Sequence, residues 1–162
     1  MATIHLMYGF IGCGKSTIAK KLAKDLPAIW LCVDDFNFKL FGRNPYGDGF
    51  EKYVHLNKDL IWDITKETIN NGISVIIDSG GISTKQMRQD YYKKARAITD
   101  DVVYNIIECD INTAKERALK RTRDNEQTLE INEDDIKRAL NRFEEMSDDE
   151  AYGYNIVLHD NN

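Results

Sequence analysis

The chain has 162 residues, 42% of them hydrophobic and 30% charged, with 10 Gly and 2 Pro. This is the composition of one globular domain, long enough to bury roughly 70% of its unfolded surface without metal or disulfide support, and it excludes disordered, collagen-like and disulfide-scaffold classes. With 22 Lys and Arg against 27 Asp and Glu the net charge is -5, which argues against an extensive nucleic-acid surface, since such a surface wants a basic face.

Cys13, Cys32 and Cys109 are far apart and form no CxxC pair, so neither a zinc site nor a disulfide framework is expected, and a reducing cytoplasm is the expected location. The start, MATIHLMYGFIGCGKS, lacks the pattern of a signal peptide, and no run approaches the roughly 20 apolar residues of a membrane span. His5, His55 and His159 have no ligand-like spacing.

In chain order, an apolar run over 3–8 predicts a first strand that leads straight into GFIGCGKS at 9–16. The segment satisfies G-x-x-x-x-G-K-[ST] and precedes a helical pattern over 17–25, the strand–loop–helix setting in which this motif cradles phosphates. Gly12 and Gly14 let backbone amides curl around phosphate oxygens, and the helix N-terminus adds partial positive charge. Lys15 is expected to bridge the β- and γ-phosphates, and Ser16 to place its hydroxyl on a shared Mg2+. Cys13 sits inside this loop, where the amides and Lys15 are expected to lower its thiol pKa and make it alkylable, with ATP-Mg slowing the reaction; an inert, poorly accessible thiol is the equal alternative.

The run 29–33 predicts a second strand, with Asp34 and Asp35 at its carboxyl end, the edge where open α/β sheets bind ligands. A carboxylate there can orient and deprotonate an acceptor hydroxyl. The following stretch is crowded with Phe36, Phe38, Phe41, Tyr46, Phe50 and Tyr53, whose rings either stack an acceptor or form the core of a helical cap. A Pro/Gly-rich loop around Gly42, Asn44, Pro45, Gly47 and Gly49 interrupts it. From Asp34 to Asp63 six acids face four bases, Lys39, Arg43, Lys52 and Lys58, a balance that suits a neutral or cationic acceptor.

The run 75–77 predicts a third strand, and Asp78 ends it ahead of Ser79, Gly80 and Gly81, a Walker-B-like placement for the metal shell. Ser83 with Gln86 and Thr113 with Glu116 predict helix starts, separated by a strand over 102–107. Arg117 and Arg121 then share a helix face, with Arg123 close behind, and an arginine delivered there can stabilise charge on a transferring phosphoryl group. Asn132 and the acidic turn Glu133, Asp134, Asp135 open a later helix on which Arg138 and Arg142 read as a solvated face. A last strand is predicted over 156–158, and Trp30 and Trp62 read as core or cap residues.

GFIGCGKST, VDDF, VIIDSGG, ERALKRTR and the late NRFEE before a terminal strand resemble, in this order, the P-loop kinases of the AAA_33 type. That group contains polynucleotide 5'-hydroxyl kinase domains, chloramphenicol phosphotransferase and zeta-toxin-like kinases. The resemblance covers nearly the whole chain and implies an α/β P-loop NTPase three-layer sandwich, with a five-stranded parallel sheet of order 2-3-1-4-5, helices on both faces and a small lid. It implies a single kinase domain over 1–162, with the lid at about 123–132 and the acceptor segment at about 36–63. ATP with Mg2+ is the implied donor, and the γ-phosphoryl group is transferred to a hydroxyl.

Carried over residue by residue, the resemblance makes Lys15, Asp34 and Arg121 catalytic, with Asp34 as general base and Arg121 as the main lid arginine. Gly9, Gly12, Cys13, Gly14, Lys15, Ser16, Thr17, Arg117 and Arg123 become the nucleotide contacts, Ser16 and Asp78 the metal ligands, and Asp35, Phe36 and Phe38 the acceptor contacts. In the implied strand order Asp78 ends the strand beside the P-loop strand and Asp34 ends the next one out, so Asp78 falls nearer the metal and Asp34 nearer the acceptor. One departure concerns the acceptor: polynucleotide kinases of this type carry a basic residue soon after the acidic pair, whereas here Phe36, Asn37 and Phe38 precede Lys39. The expected partner is a hydroxyl-bearing small molecule or a short nucleic-acid 5' end, with no membrane and no obligate protein partner. The leading function is a small-molecule or nucleoside-type kinase; a polynucleotide 5'-hydroxyl kinase is second, and an ATP-binding regulatory module, in which Asp34 has no use, is third.

Overall fold

The computed structural model describes residues 1–43, 50–80, 82–126 and 128–162, with residues 50–52 described by backbone alone. Strands β1 (Ile4–Tyr8), β2 (Ile29–Cys32), β3 (Val75–Asp78), β4 (Val102–Glu108) and β5 (Asn155–Asp160) form one parallel sheet of order β2-β3-β1-β4-β5. The period-2 alternation of each strand divides the interior into two cores. Ile4, Leu6 and Tyr8 face one with Val75, Ile77 and Tyr104, while Met7, Ile76 and Ile107 face the other. β3 is buried along its whole length, as a near-continuous apolar strand inside a parallel sheet must be.

Helices cover both faces, as expected for a P-loop sandwich. Ile61, Trp62 and Ile69 of α3 (Phe50–Asn70) and Ala95 of α4 (Lys85–Arg96) close the first core. Ala19 of α1 (Lys15–Asp25) and Ala114 of α5 (Ile111–Asp124) close the second. α2 (Val33–Phe41), α6 (Glu133–Arg142) and the short α7 (Asp148–Ala151) complete the described helices. None of them is long and apolar enough to cross a membrane.

Several boundaries differ from the sequence expectation. β2 stops at Cys32 and Val33 already belongs to α2, so Asp34 and Asp35 occupy the first turn of a helix, where its dipole favours carboxylates. The cap of α4 is Thr84, whose side chain accepts from the Met87 amide, and Ser83 lies one residue outside. The cap of α5 is Asp110, which accepts from the Thr113 amide at 2.9 Å, so that helix starts before Thr113. Asn132 does cap α6, in a reciprocal box with Asp135. The predicted loop residues Asn44, Pro45, Tyr46, Gly47 and Gly49, and Gly81, lie outside the described residues, as does the side chain of Phe50.

One buried ion pair joins the first core to the segment that follows α6. Arg88 Nε and Nη2 each donate to Glu150 at 2.7 Å with both side chains out of solvent, and Arg88 Nη1 donates to the Glu144 carbonyl at 2.7 Å. The guanidinium also lies 4.9 Å from the Tyr8 ring centre, and the Tyr8 hydroxyl donates to the same Glu144 carbonyl. Phe143 stacks on Tyr8 and meets Phe10 edge-on, so the end of α6 is held against the top of β1, just before the glycine-rich loop.

Candidate nucleotide and acceptor site

The loop between β1 and α1 adopts the curled conformation that its glycines permit. Gly12 and Gly14 take φ of 82° and 100°, in the left-handed region, and a Cβ on Gly12 would lie 2.0 Å from the Ala114 carbonyl oxygen. Only glycine fits where the loop presses on α5. Gly14 caps α1 without any side-chain hydrogen bond, and the first turn carries no acid. The leading amides of α1 are therefore free of side-chain acceptors, and the helix end favours an anion.

Lys15 Nζ donates to the Gly9 and Phe10 carbonyls, both at 2.9 Å, which holds the ammonium inside the curl of the loop. Ser16 is half-buried and Thr17 exposed in the same first turn. Cys13 overturns the reactivity expectation. The thiol is buried beneath the loop, and its burial pushes the pKa up against the opposing pull of Lys15. Proximity to a cation and to amides lowers a thiol pKa only where the thiolate keeps some solvation.

The two acids come together from neighbouring strands. Cys32 pairs in register with Asp78, so Asp34, in the first turn of α2, lies two residues beyond the level at which Asp78 ends β3. A Cβ on Gly80 would lie 4.0 Å from Asp34 Oδ2, which sets the loop after β3 directly beside that carboxylate. Gly9, Lys15, Ser79 and Gly80 line one small cavity, so the phosphate loop and the loop after Asp78 share a wall.

Asp78 is buried, and Trp30 Nε1 donates to its Oδ2 at 3.4 Å. Asp34 is exposed to solvent in the first turn of α2. Its pKa is raised by desolvation and by the Asp78 charge, with Lys15 and Arg121 pulling the other way. A carboxylate shifted up in this way sits nearer the operating pH of a general base.

The arginines of α5 separate. Arg121 is close enough to Asp34 to act on its charge. Arg117 instead donates from Nη1 to the Asn161 carbonyl at 2.7 Å and to Cys109 Sγ at 3.4 Å. Arg117 and Arg123 line a shallow groove along α5 with Thr113, Glu116 and Lys120. Asp35 is exposed, Phe36 packs on the first core, and Phe38 is half-buried. Phe36 thus takes up the core reading of the aromatic segment, as does the contact of Phe41 with Tyr53 at 5.4 Å.

Three contacts had no local signature in the sequence. Asn161, just past β5, donates from Nδ2 to the Cys13 carbonyl at 2.7 Å and so braces the phosphate loop from outside. Arg43, just past α2, donates to the Thr122 and Asn125 carbonyls at the end of α5, while its own carbonyl accepts from the Glu130 amide at 2.8 Å. Asn57 Nδ2 donates to Asn37 Oδ1 at 2.7 Å, a buried amide pair that ties α3 to α2. Each joins residues at least 20 positions apart, beyond the reach of any periodicity.

The family model for AAA_33, described as an AAA domain, matches residues 4–146. No curated protein matches the chain. Kti12 from Chaetomium thermophilum, solved in complex with ADP-AlF3, is 15% identical with a TM-score of 0.74, over 97% of this chain and 88% of that one. A chain from the Pnkp1/Rnl/Hen1 RNA repair complex is 20% identical with a TM-score of 0.70, over 87% of this chain and 43% of that one, so this chain spans less than half its length. Shikimate kinase from Acinetobacter baumannii, in complex with shikimate, is 17% identical with a TM-score of 0.58, over the whole of this chain and 84% of that one. At these identities the shared feature is the fold.

Proposed function

This chain belongs to the AAA_33 family, and we propose that it is an ATP-dependent kinase that transfers the γ-phosphoryl group to a hydroxyl of a small-molecule or nucleoside-type acceptor. The observation that carries this reading is the position of Asp34: a solvent-reached carboxylate with raised pKa, next to Gly80 and under the influence of both Lys15 and Arg121. A nucleotide-binding switch has no need of a base so close to its phosphate loop.

In this reading the amides of residues 12–17 and the Lys15 ammonium hold the phosphates. Phosphoryl transfer asks the protein mainly for positioning and for cations around the developing charge. Lys15 and Arg121, both near enough to act on the Asp34 charge, supply those cations. Asp34 accepts the proton of the acceptor hydroxyl as its oxygen attacks phosphorus, and the bond from phosphorus to the bridging oxygen of ADP breaks. The hard oxygen donors Ser16 and Asp78 fit Mg2+, which when bound neutralises charge on the phosphate oxygens. Asp78, braced by Trp30, is oriented for that role and Asp34 for proton transfer. The stretch after α5, tied to Arg43, is assigned as the lid, since it spans from the arginine helix to the segment that follows Asp34.

A polynucleotide 5'-hydroxyl acceptor is the second reading, favoured by the likeness to a chain of the RNA repair complex. The test is transfer of label from γ-labelled ATP in the presence of Mg2+ to a panel of nucleosides, sugars, small aromatic alcohols and a 5'-hydroxyl oligonucleotide. A labelled small molecule is the expected result, and a labelled oligonucleotide alone selects the second reading. Bound ATP with label on no hydroxyl compound refutes the kinase assignment.

A further inference from the structure

We propose that Asn161 is a positioning residue for the phosphate loop: by holding the Cys13 carbonyl it turns the Cys13–Gly14 peptide so that the Gly14 amide is presented to the nucleotide, and Arg117 acts through Asn161 and not on the nucleotide itself. This rests on the nucleotide-binding half of the reading above and on no particular acceptor.

The carbonyls of the loop divide into two sets. Those of Gly9 and Phe10 accept from Lys15 Nζ, both at 2.9 Å, and the Cys13 amide adds a bond to the Phe10 carbonyl at 3.2 Å. The Cys13 carbonyl has a different partner, Asn161 Nδ2, at 2.7 Å. A trans peptide is planar, with its C=O and N–H pointing in opposite directions. Fixing the Cys13 oxygen on Asn161 therefore fixes the Gly14 N–H on the side away from Asn161. That N–H has no acceptor among the described residues. It stands at the cap of α1, where the helix end favours an anion. A donor on the carbonyl oxygen also polarises the peptide, which makes its N–H the stronger donor.

Asn161 is itself held from two elements. Its amide donates to the Glu108 carbonyl at 2.9 Å, which carries the pairing of β4 with β5 one step past Asp160, and its carbonyl accepts from Arg117 Nη1 of α5 at 2.7 Å. The next residue, Asn162, accepts through Oδ1 from the Asp110 amide at the cap of α5, at 2.8 Å. The sheet edge and the start of α5 thus fix where the Asn161 side chain lies before any nucleotide arrives, which is the condition for a preorganised contact. A Cβ on Gly14 would collide with Asn161 Nδ2, so the side-chain amide fills space that any other residue at position 14 would claim. Arg117 Nη1, expected on the nucleotide, is instead engaged by the Asn161 carbonyl and by Cys109 Sγ.

The test is calorimetric titration of the full chain with Mg2+-ATP, paired with thermal unfolding. Asn161→Ala is expected to raise the Kd for ATP about threefold to tenfold, the range of one neutral hydrogen bond. Asn161→Asp keeps the shape but turns an acceptor toward the Cys13 carbonyl, and is expected to bind ATP more weakly than Asn161→Ala even in about 0.5 M salt, where its added charge is screened. A packing role predicts the reverse order, or a lower unfolding midpoint with native ATP affinity. Arg117→Met is expected to weaken ATP binding less than Asn161→Ala does, and to add nothing when combined with it, because both act on one contact.

Native ATP affinity in Asn161→Ala, or an Asn161→Asp variant that binds ATP as the native chain does, overturns the positioning role and leaves the nucleotide reading standing. Effects of Arg117→Met and Asn161→Ala that multiply in the double variant overturn the assignment of Arg117, which then touches the nucleotide directly. A native chain that binds no ATP removes the nucleotide reading and the proposal together.

Discussion

Replacing Gly12 by Ala tests the account of the phosphate loop with a magnitude that comes from the structure. Gly12 has φ of 82°, and a Cβ there would lie 2.0 Å from Ala114 O, 2.9 Å from Ala114 C and 3.0 Å from Ala118 Cβ. Gly72 has φ of 78° and nothing within 4 Å of the same imagined atom. Both substitutions therefore carry the left-handed penalty of about 1–2 kcal/mol for an L residue. Only Gly12→Ala adds a collision with helix backbone, which no rotamer change relieves. The loop and α5 must separate, an overpacking cost of about 1–3 kcal/mol.

At about 2–4 °C per kcal/mol for a chain of this size, Gly12→Ala is expected to melt about 4–20 °C below the native chain, and Gly72→Ala about 2–8 °C below it. The assay is thermal unfolding followed by circular dichroism, paired with calorimetric titration of ATP. Gly12→Ala weakens ATP binding by about tenfold or more, because displaced amides lose their aim at the phosphates. Gly72→Ala leaves binding unchanged. Equal midpoints for the two variants, or native ATP affinity in Gly12→Ala, refute the claim that loop curvature and close contact with α5 shape the cradle.

Three further outcomes follow from other parts of the molecule. Glu150→Gln leaves the buried Arg88 guanidinium without its counter-charge and is expected to cost about 3–5 kcal/mol in denaturant unfolding; a loss below about 1 kcal/mol contradicts the pairing. Burial lowers the pKa of His5 and of His159, and each bonds to the amide of the buried Asn105. A base whose pKa is lower in the folded chain gives full stability above its unfolded pKa of about 6.5 and loses it as pH falls toward the lowered value. Thermal midpoints should fall on acidification through that window, and the fall should be shallower in the double variant His5→Gln, His159→Gln; identical slopes contradict it. With its thiol buried and its pKa raised, Cys13 should resist iodoacetamide until the chain unfolds, with or without ATP-Mg, while the half-exposed Cys109 reacts first. Peptide mapping that finds Cys13 labelled in the folded chain reverses this.

What the sequence made legible has local causes. The strand–loop–helix course of residues 4–25 could be read because an apolar run, spaced glycines and a helical pattern are consecutive, and the structure keeps that order in β1 and α1. The Asn132 cap could be read because donor and acceptor are three residues apart. The helix starts read at Ser83 and Thr113 fell instead at the caps Thr84 and Asp110, other side chains able to cap within three positions. The Cys13 shift went the other way because desolvation is a property of the folded surroundings and not of the neighbours in the chain. Arg142 read as a solvated arginine and is exposed, whereas the stacking of the next residue, Phe143, on Tyr8 leaves no mark in the local pattern. The Asn161 brace on the phosphate loop spans 148 positions, so only the folded sheet shows it.

The most direct measurement compares Asp34→Asn with the native chain in ATP affinity and in label transfer to whichever acceptor is used. The substitution keeps the shape and removes the proton acceptor. The account predicts ATP binding within about threefold of native and turnover lower by about 100-fold or more, the usual range for loss of a general base. It also predicts that native kcat/KM declines as pH falls through the raised pKa of Asp34, and that this acid limb is absent from the residual activity of the variant. Native turnover in Asp34→Asn, with an unchanged pH profile, would contradict the assignment of Asp34 as the base.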